Sequence, residues 1–503
     1  MKNHPLSFYA LFFMVLMLIA KVSGILFKIV LAKAVTPYEY GLITFIVIAL
    51  PNLFMKITNL CFPTMVSHSS KGRKYFRFSI AYAFFSLFFI TMFILLFNES
   101  FFNFLNLPYD NQWINLFIAF MLVLFAKSLL YNISGLLRGA RKYSDPMAIR
   151  VIPPLTRFLF VLILVYALDI KNFVSILLIA ASAELIFLIF IAVKNREFIF
   201  NSLKQTTPLT KNMVLFGILI LLVADIGAIT EGIIKVIIMH SMGVELQAYF
   251  DVSLTLVSII GFASMTLFFY MIPEATSESS SINGKKNKRE HKDLYKSNEL
   301  KDMTRALFAF LILCVIVICF YADLFVKLLF SEYYLPAADY VYILAVGFIA
   351  LFIQQIVTFL HLSEISLTEN REGIKKQFIF LIVTLILLMS FPFVAAAIVK
   401  KLGFLGAYVS TTLFWVLYAV ITIIYFKDFS SIRVLLHRFQ FLALASIVLI
   451  ILNYFFNSLE LSLIYNIIVI CISMGVYIGL LFLTGYLNRK LITDTLNLVK
   501  KKI

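Results

Sequence analysis

Three ionisable residues stand within eleven positions of an otherwise apolar stretch, residues 217–250: Asp225, Glu231 and Lys235. A charge placed in hydrocarbon costs roughly 2.5–3.5 kcal/mol on insertion scales, so three together call for a reason. Glu231 and Lys235 are four apart and share a helix face, which allows an ion pair. Asp225 lies on another face and needs a different partner. Gly227, Ala228 and Gly232 give the same helix a smooth flank against which a second helix can approach. Two readings fit: a structural ion pair inside a bundle, or a polar seam lining a transport path.

Further cations sit in the first part of the chain. Lys21 and Lys28 are seven apart and fall on one helical face. Lys56, Lys127 and Arg157 lie in later apolar runs, and Glu184, a lone carboxylate in another, reads as the partner of a neighbouring cation or as a proton- or cation-coupling group. Snorkelling to the head-group layer is the ordinary role of a lysine near a span end. As a set, Lys21, Lys28, Lys56 and Arg157 suit binding of an anionic substrate such as a phosphate or diphosphate. Asp225, Glu231, Lys235 and Glu184 then supply coupling or cavity charge. Enzyme signatures are missing: there is no phosphate-binding G-x-x-x-x-G-K-[ST] loop, no G-x-S-x-G elbow and no His/Glu zinc spacing. No enzyme activity and no metal are expected, and no cofactor beyond a coupling proton or sodium ion.

The elements that must carry these residues follow from composition. The chain of 503 residues is 62% hydrophobic and only 14% charged, with a mean hydropathy of +0.98. That describes a polytopic membrane protein, not several soluble domains. The net charge of +17 belongs to the loops and not to nucleic-acid binding. The four cysteines, Cys61, Cys314, Cys319 and Cys471, fall in apolar runs without metal-ligand or disulfide spacing. The first apolar run carries Lys21 and Lys28 and leads straight into another, so it reads as a retained helix.

Spans of about 20 apolar residues are expected at 8–31, 41–64, 76–97, 113–137, 148–168, 172–193, 212–240, 249–272, 304–329, 338–362, 376–399, 404–426, 439–457 and 463–486. With the N-terminus placed in the cytoplasm, 32 Lys and Arg fall in inner segments, 5 in outer segments and 6 within spans. That bias alternates through every loop and predicts fourteen spans with both termini cytoplasmic. Residues 194–211 and the Ser/Lys-rich 273–303 read as cytoplasmic linkers. The expected organisation is a six-helix lobe over 1–193, a linker over 194–211, a second six-helix lobe over 212–426, and two extra helices with a basic tail over 427–503.

Several short runs then converge on one family. ILFKIVLAKAVTPYEYGLITFIVIALPNLF (25–54), with Lys33, Pro37, Glu39, Tyr40 and Gly41, resembles the first-to-second-helix signature of polysaccharide-biosynthesis flippases. CFPTMVSHSSKGR (61–73) is similar to the end of their second helix. LLYNISGLLRGARKYSD (129–145) resembles their fourth-helix exit, with Gly135, Arg138 and Gly139. Asp225, Gly243 and Tyr249 sit where the family has an Asp, a Gly and a Tyr. FVKLLFSEYYLPAADYVYILAVG (325–347) resembles its Gly-x-x-Tyr-x-x-Ala run through Tyr334, Pro336, Ala337 and Leu344, with Ser331 in place of the usual Gly. GFLGAY (403–408) resembles the opening of its twelfth helix.

The resemblance implies an all-α integral membrane fold of the multidrug/oligosaccharidyl-lipid/polysaccharide (MOP) exporter superfamily. It would have about fourteen helices, two pseudo-symmetric six-helix lobes and two C-terminal helices. It further implies flipping of a polyprenyl-linked oligosaccharide across the cell membrane by alternating access. Membrane lipids and the glycosyltransferases or polymerase of the same pathway are the implied partners. A cation-coupled multidrug antiporter of the same fold and a non-transporting scaffold of a glycan-assembly complex are the alternatives.

Overall fold

In the computed structural model the backbone is described for residues 6–59, 62–63, 66, 72–107, 113–140, 142, 144–205, 211–259, 261, 298–367, 371–426, 435–457 and 463–487. The side chains of 6–15, 57, 72–73, 211–225, 298–301, 303, 358–367, 371–378, 457 and 463 are outside that description, so Asp225 has a place on a helix but no described contacts. Most of the linker expected over 273–303 also lies outside it.

Each expected span holds a helix within the described residues, the part of 249–272 beyond 261 lying outside them. α1 is Leu6–Ala34; α2 runs through Pro37–Thr44, a π-helical stretch Phe45–Ala49, and Leu50–Asn59. α3 is Phe76–Leu96, α4 Trp113–Gly139, α5 Ser144–Leu162 with a π-helical end Ile163–Ala167, and α6 Phe173–Lys194. α7 is Lys211–Met242, α8 Val244–Ser258, α9 Asn298–Phe320, α10 Val341–Leu367, α11 Arg371–Leu402 and α12 Phe404–Phe426. α13 (Phe439–Asn457) and α14 (Leu463–Leu483) follow. Among the described residues, nine helices are long and apolar enough to cross a membrane, or ten counting one bent pair. The chain is a multi-pass membrane protein.

Two expectations need correction. The ninth span does not continue to 329. It stops at Phe320, and the chain turns by 79° into a short helix, Ala322–Leu329. Tyr321 leaves helical backbone there (φ −119°, ψ 25°). The eighth helix begins at Val244, five residues earlier than expected. The link 194–211 also carries a helix of its own, Arg196–Leu203, packed on α3 and α6.

The helix pairings repeat at an offset of six. α1 packs on α5 as α7 packs on α11, and α2 on α4 as α8 on α10. α4 packs on α6 as α10 on α12, and α5 on α6 as α11 on α12. This repetition is the pseudo-symmetry expected from the sequence. α13 and α14 pack on each other and on α9, outside the second set.

The two six-helix sets meet chiefly through α2 against α7 and α8. Local chemistry starts α2 at a fixed place. Thr36 Oγ1 accepts from the Glu39 amide at 3.3 Å, Glu39 Oε2 accepts from the Thr36 amide at 3.0 Å, and Pro37 fixes the first turn. Gly41 then lets α2 lie directly on α8, because a Cβ there would stand 2.5 Å from the Val244 carbonyl oxygen. Gly243, at φ +93°, makes the turn from α7 into α8 that few other residues adopt. Pro51 offers no N–H to the preceding turn, and the π-helical stretch just before it absorbs the mismatch.

Candidate functional site

The charged residues gather into two groups. The first spans both six-helix sets and centres on Asp251 of α8, 1% exposed. Lys28 of α1 reaches it at 2.8 Å, and Lys235 of α7 at 2.6 Å. The Tyr40 hydroxyl of α2 donates to it at 2.9 Å. Lys28 also donates to Thr255 Oγ1 at 2.9 Å, one turn along α8. Lys235, itself 1% exposed, pairs with Glu231 at 2.7 Å, as their spacing predicts. The Glu231 side chain is 41% exposed, so this carboxylate is the open edge of the group.

Gly232 beside it brings α7 close to α2: a Cβ there would stand 3.0 Å from Leu53 Cβ. Gly227 faces Leu351 of α10 at an ordinary 3.7 Å. Lys21, two turns from Lys28, is half-buried and makes no hydrogen bond or ion pair among the described residues; Glu231 and Lys28 are the charges that act on it.

The second group lies within the first six helices. Arg157 of α5, 6% exposed, is bound to Glu184 of α6. Lys127 of α4 stands 3.7 Å from the same carboxylate and donates to Asn52 of α2 at 2.8 Å. The Arg157 guanidinium covers the Phe27 ring of α1 at 5.5 Å, and Lys56 lies over the Tyr131 ring at 5.2 Å. Beneath them a polar ladder ties α2, α3 and α4 together. Thr58 and Ser128 are 3.1 Å apart, Ser128 donates to Asn59 at 3.2 Å, and Asn132 bonds both Asn59 and Ser79.

Of the residues expected to bind substrate, Lys28 and Arg157 are therefore held by internal carboxylates and Lys56 lies over the Tyr131 ring, while Lys21 makes no hydrogen bond or ion pair among the described residues. Sequence reasoning missed Asp251, Tyr40 and Lys127 as members of these groups. A signal for Asp251 was present: beyond Glu245 in the first turn of α8, it is the one acidic residue in the apolar body of the helix that follows Lys235.

Counting both groups with Lys21 and Lys56, six cations stand against three carboxylates among the described side chains. Next to them, an apolar cavity of about 450 Å³ lies between α2, α3 and α7, lined among others by Leu50, Leu53, Phe54, Phe97 and Val236. No group of three or more His, Cys, Asp or Glu side chains that could hold a metal occurs among the described residues.

The end of the bundle at which α2 meets α8 is sealed. Tyr334 is fully buried there, edge-on to Tyr40 at 5.4 Å and to Tyr249 at 6.2 Å. Lys33 donates to the Leu328 carbonyl at 3.1 Å, and His240 stacks on Phe104 while its Nδ1 contacts the Phe104 carbonyl at 2.6 Å. The conspicuous sequence run around Tyr334–Ala337 is thus a plug between the two sets.

No protein-family model and no curated protein sequence matches the chain. Solved structures do. The lipid II flippase MurJ in an inward closed conformation is 13% identical with a TM-score of 0.59, covering 96% of this chain and 100% of its own. An inward-facing multidrug resistance MATE family transporter of the MOP superfamily is 13% identical with a TM-score of 0.55, covering 82% and 94%. A MOP superfamily transporter from Pyrococcus furiosus, whose description notes reverse polarity of its binding pocket, is 13% identical with a TM-score of 0.55, covering 84% and 96%. At this identity the likeness is one of architecture, and on that ground the chain has the fold of the MOP superfamily transporters.

Proposed function

We propose that the protein flips a polyprenyl phosphate- or diphosphate-linked oligosaccharide across the cell membrane by alternating access. The observation that carries this reading is the surplus of cations in these two groups among the described side chains, six against three with Asp225 uncounted. An unpaired phosphate in a low-dielectric region costs many kcal/mol, and fixed cations offset that cost. The cavity between α2, α3 and α7 suits part of a polyprenyl chain, being almost wholly apolar.

The charge bias of the loops supports an assignment of sides. It puts the sealed end, with Lys33 and Gly243, outside and both termini in the cytoplasm. The arrangement described is then the one closed to the outside. A lobe boundary in the link 194–211 fits the repeated pairing of α1–α6 and α7–α12. A drug-cation antiporter is less favoured, because it needs a carboxylate free to take the cation. Among the described side chains, Glu184, Glu231 and Asp251 each hold a cation of the protein already, and Asp225 lies outside that description.

The test is transport of a fluorescent sugar on a polyprenyl diphosphate in proteoliposomes, compared with the same sugar on an uncharged polyprenyl ether. Movement of the diphosphate alone supports the reading. Equal movement of both rejects the role of the cations.

A further inference from the structure

We propose that Asp251 is an internal stand-in for the substrate's anion, and that a phosphate- or diphosphate-bearing ligand opens the sealed end by taking Lys28 from it. This rests on the reading of an anionic substrate given above.

The argument turns on which bonds cross between the two helix sets. Lys235 and Asp251 lie on α7 and α8, consecutive helices joined by the Gly243 turn, and move together. So do Lys235 and Glu231, both on α7. Within the ion group the bonds that cross are Lys28 to Asp251, Lys28 to Thr255 and Tyr40 to Asp251, besides Lys33 to the Leu328 carbonyl and His240 to the Phe104 carbonyl at the sealed end. Alternating access separates α1 and α2 from α8, and the three within the ion group must break. Asp251 then keeps Lys235, so its charge stays compensated. Lys28 does not fare as well, because Asp251 is its one ion-pair partner among the described residues. Opening without a ligand therefore strands a largely buried ammonium, which low-dielectric surroundings disfavour strongly.

An anion placed against Lys28 removes that obstacle. Lys28 is the member within reach: its side chain is 15% exposed, against 1–2% for Asp251 and Lys235. Lys21, two turns away on the same face and without an ion pair among the described residues, is positioned to take a second negative charge of the same group. A neutral ligand offers Lys28 nothing in exchange for Asp251. Substrate selection and release of the closed state thus become one event, because the ligand supplies the energy difference between the two states.

The experiment measures opening without measuring transport. Spin labels at Lys171→Cys and Lys400→Cys, with Cys61, Cys314, Cys319 and Cys471 replaced by serine, report the separation of the two sets in phosphatidylcholine nanodiscs. Both sites are exposed and lie at the sealed end, outside the site. Farnesyl diphosphate should shift the ratio of long to short distances by about tenfold, and farnesol should leave it unchanged. Inorganic diphosphate, tested alone, separates the head group from the lipid: a shift with it supports the exchange as a property of the phosphate.

Lys28→Met and Asp251→Asn should each populate the long distance without ligand and no longer respond to farnesyl diphosphate. If Asp251→Asn fails to fold, Lys28→Met carries the same test, since Asp251 retains Lys235. A response to farnesol equal to that of the diphosphate overturns the proposal, as does a ligand-free distribution unchanged in Lys28→Met. Flipping without these shifts would leave the substrate reading standing and remove the exchange; shifts without flipping would do the reverse.

Discussion

Replacing Asp251 with asparagine removes the centre of the cross-set ion group while keeping its shape. Two ammonium groups stand 2.6 and 2.8 Å from this carboxylate. At an effective dielectric near 20, each such contact is worth about 6 kcal/mol of gross Coulomb energy. Burying the carboxylate costs several kcal/mol, which offsets much of that gain. The net loss on removing one partner of a buried ion group is therefore about 3–5 kcal/mol. Glu231→Gln breaks a contact of similar length, 2.7 Å, but this carboxylate is 41% exposed, so less of it depends on a partner inside the protein. Its cost is about 1 kcal/mol or less. The midpoint of thermal unfolding in detergent, followed by size-exclusion chromatography, should fall by several degrees for Asp251→Asn and hardly move for Glu231→Gln. Lys235→Met with Asp251→Leu, which empties the group of its most deeply buried charges, should be milder than Asp251→Asn alone, since no lysine remains opposite a missing partner except Lys28. Equal effects of Asp251→Asn and Glu231→Gln would refute the reasoning.

Gly41→Leu should disrupt the α2–α8 contact, because its Cβ would stand 2.5 Å from backbone oxygen that cannot turn aside; a loss of about 2 kcal/mol or more, read as a lowered thermal midpoint, is expected. Arg157→Ala should lower stability by about 3–5 kcal/mol, since it leaves Glu184 buried with Lys127 3.7 Å away, whereas Lys21→Ala should leave the thermal midpoint within about 0.5 kcal/mol of the parent. Reporter fusions at Asn106 and Asn283 should report opposite sides of the membrane, outer and inner; the same side for both would contradict the topology drawn from the loop charges.

The helices were legible because each carries its own signal. Runs of about 20 apolar residues need no tertiary information, and a helix is found in each of the fourteen expected segments as far as the described residues reach. The exceptions have local causes. Tyr321 breaks α9 inside a run that hydropathy alone reads as continuous, and α8 starts at Val244 because Gly243 sets the turn, ahead of its most apolar part. The site was legible only in part. Glu231 and Lys235 are a spacing on one helix and were read as such. Arg157 with Glu184, and Lys28 with Asp251, are pairings between helices 27 and 223 positions apart, which periodicity cannot encode. Arg157 looked like a free cation because its partner sits on the next helix. Tyr40 and Tyr334 stood out as motif residues, but only their contact across the two sets shows that they form a plug.

The central claim is that cations within the membrane carry an anionic head group, and Lys21 tests it most directly because, among the described residues, no carboxylate bonds to it. The measurement is flipping of a labelled polyprenyl diphosphate-linked sugar in proteoliposomes, normalised to the amount of folded protein. Lys21→Ala should abolish flipping with normal insertion, Lys21→Arg should retain part of it because the charge survives in a different geometry, and the double variant Lys21→Ala/Arg157→Ala should be inactive. Flipping at the parent rate by that double variant would contradict the account.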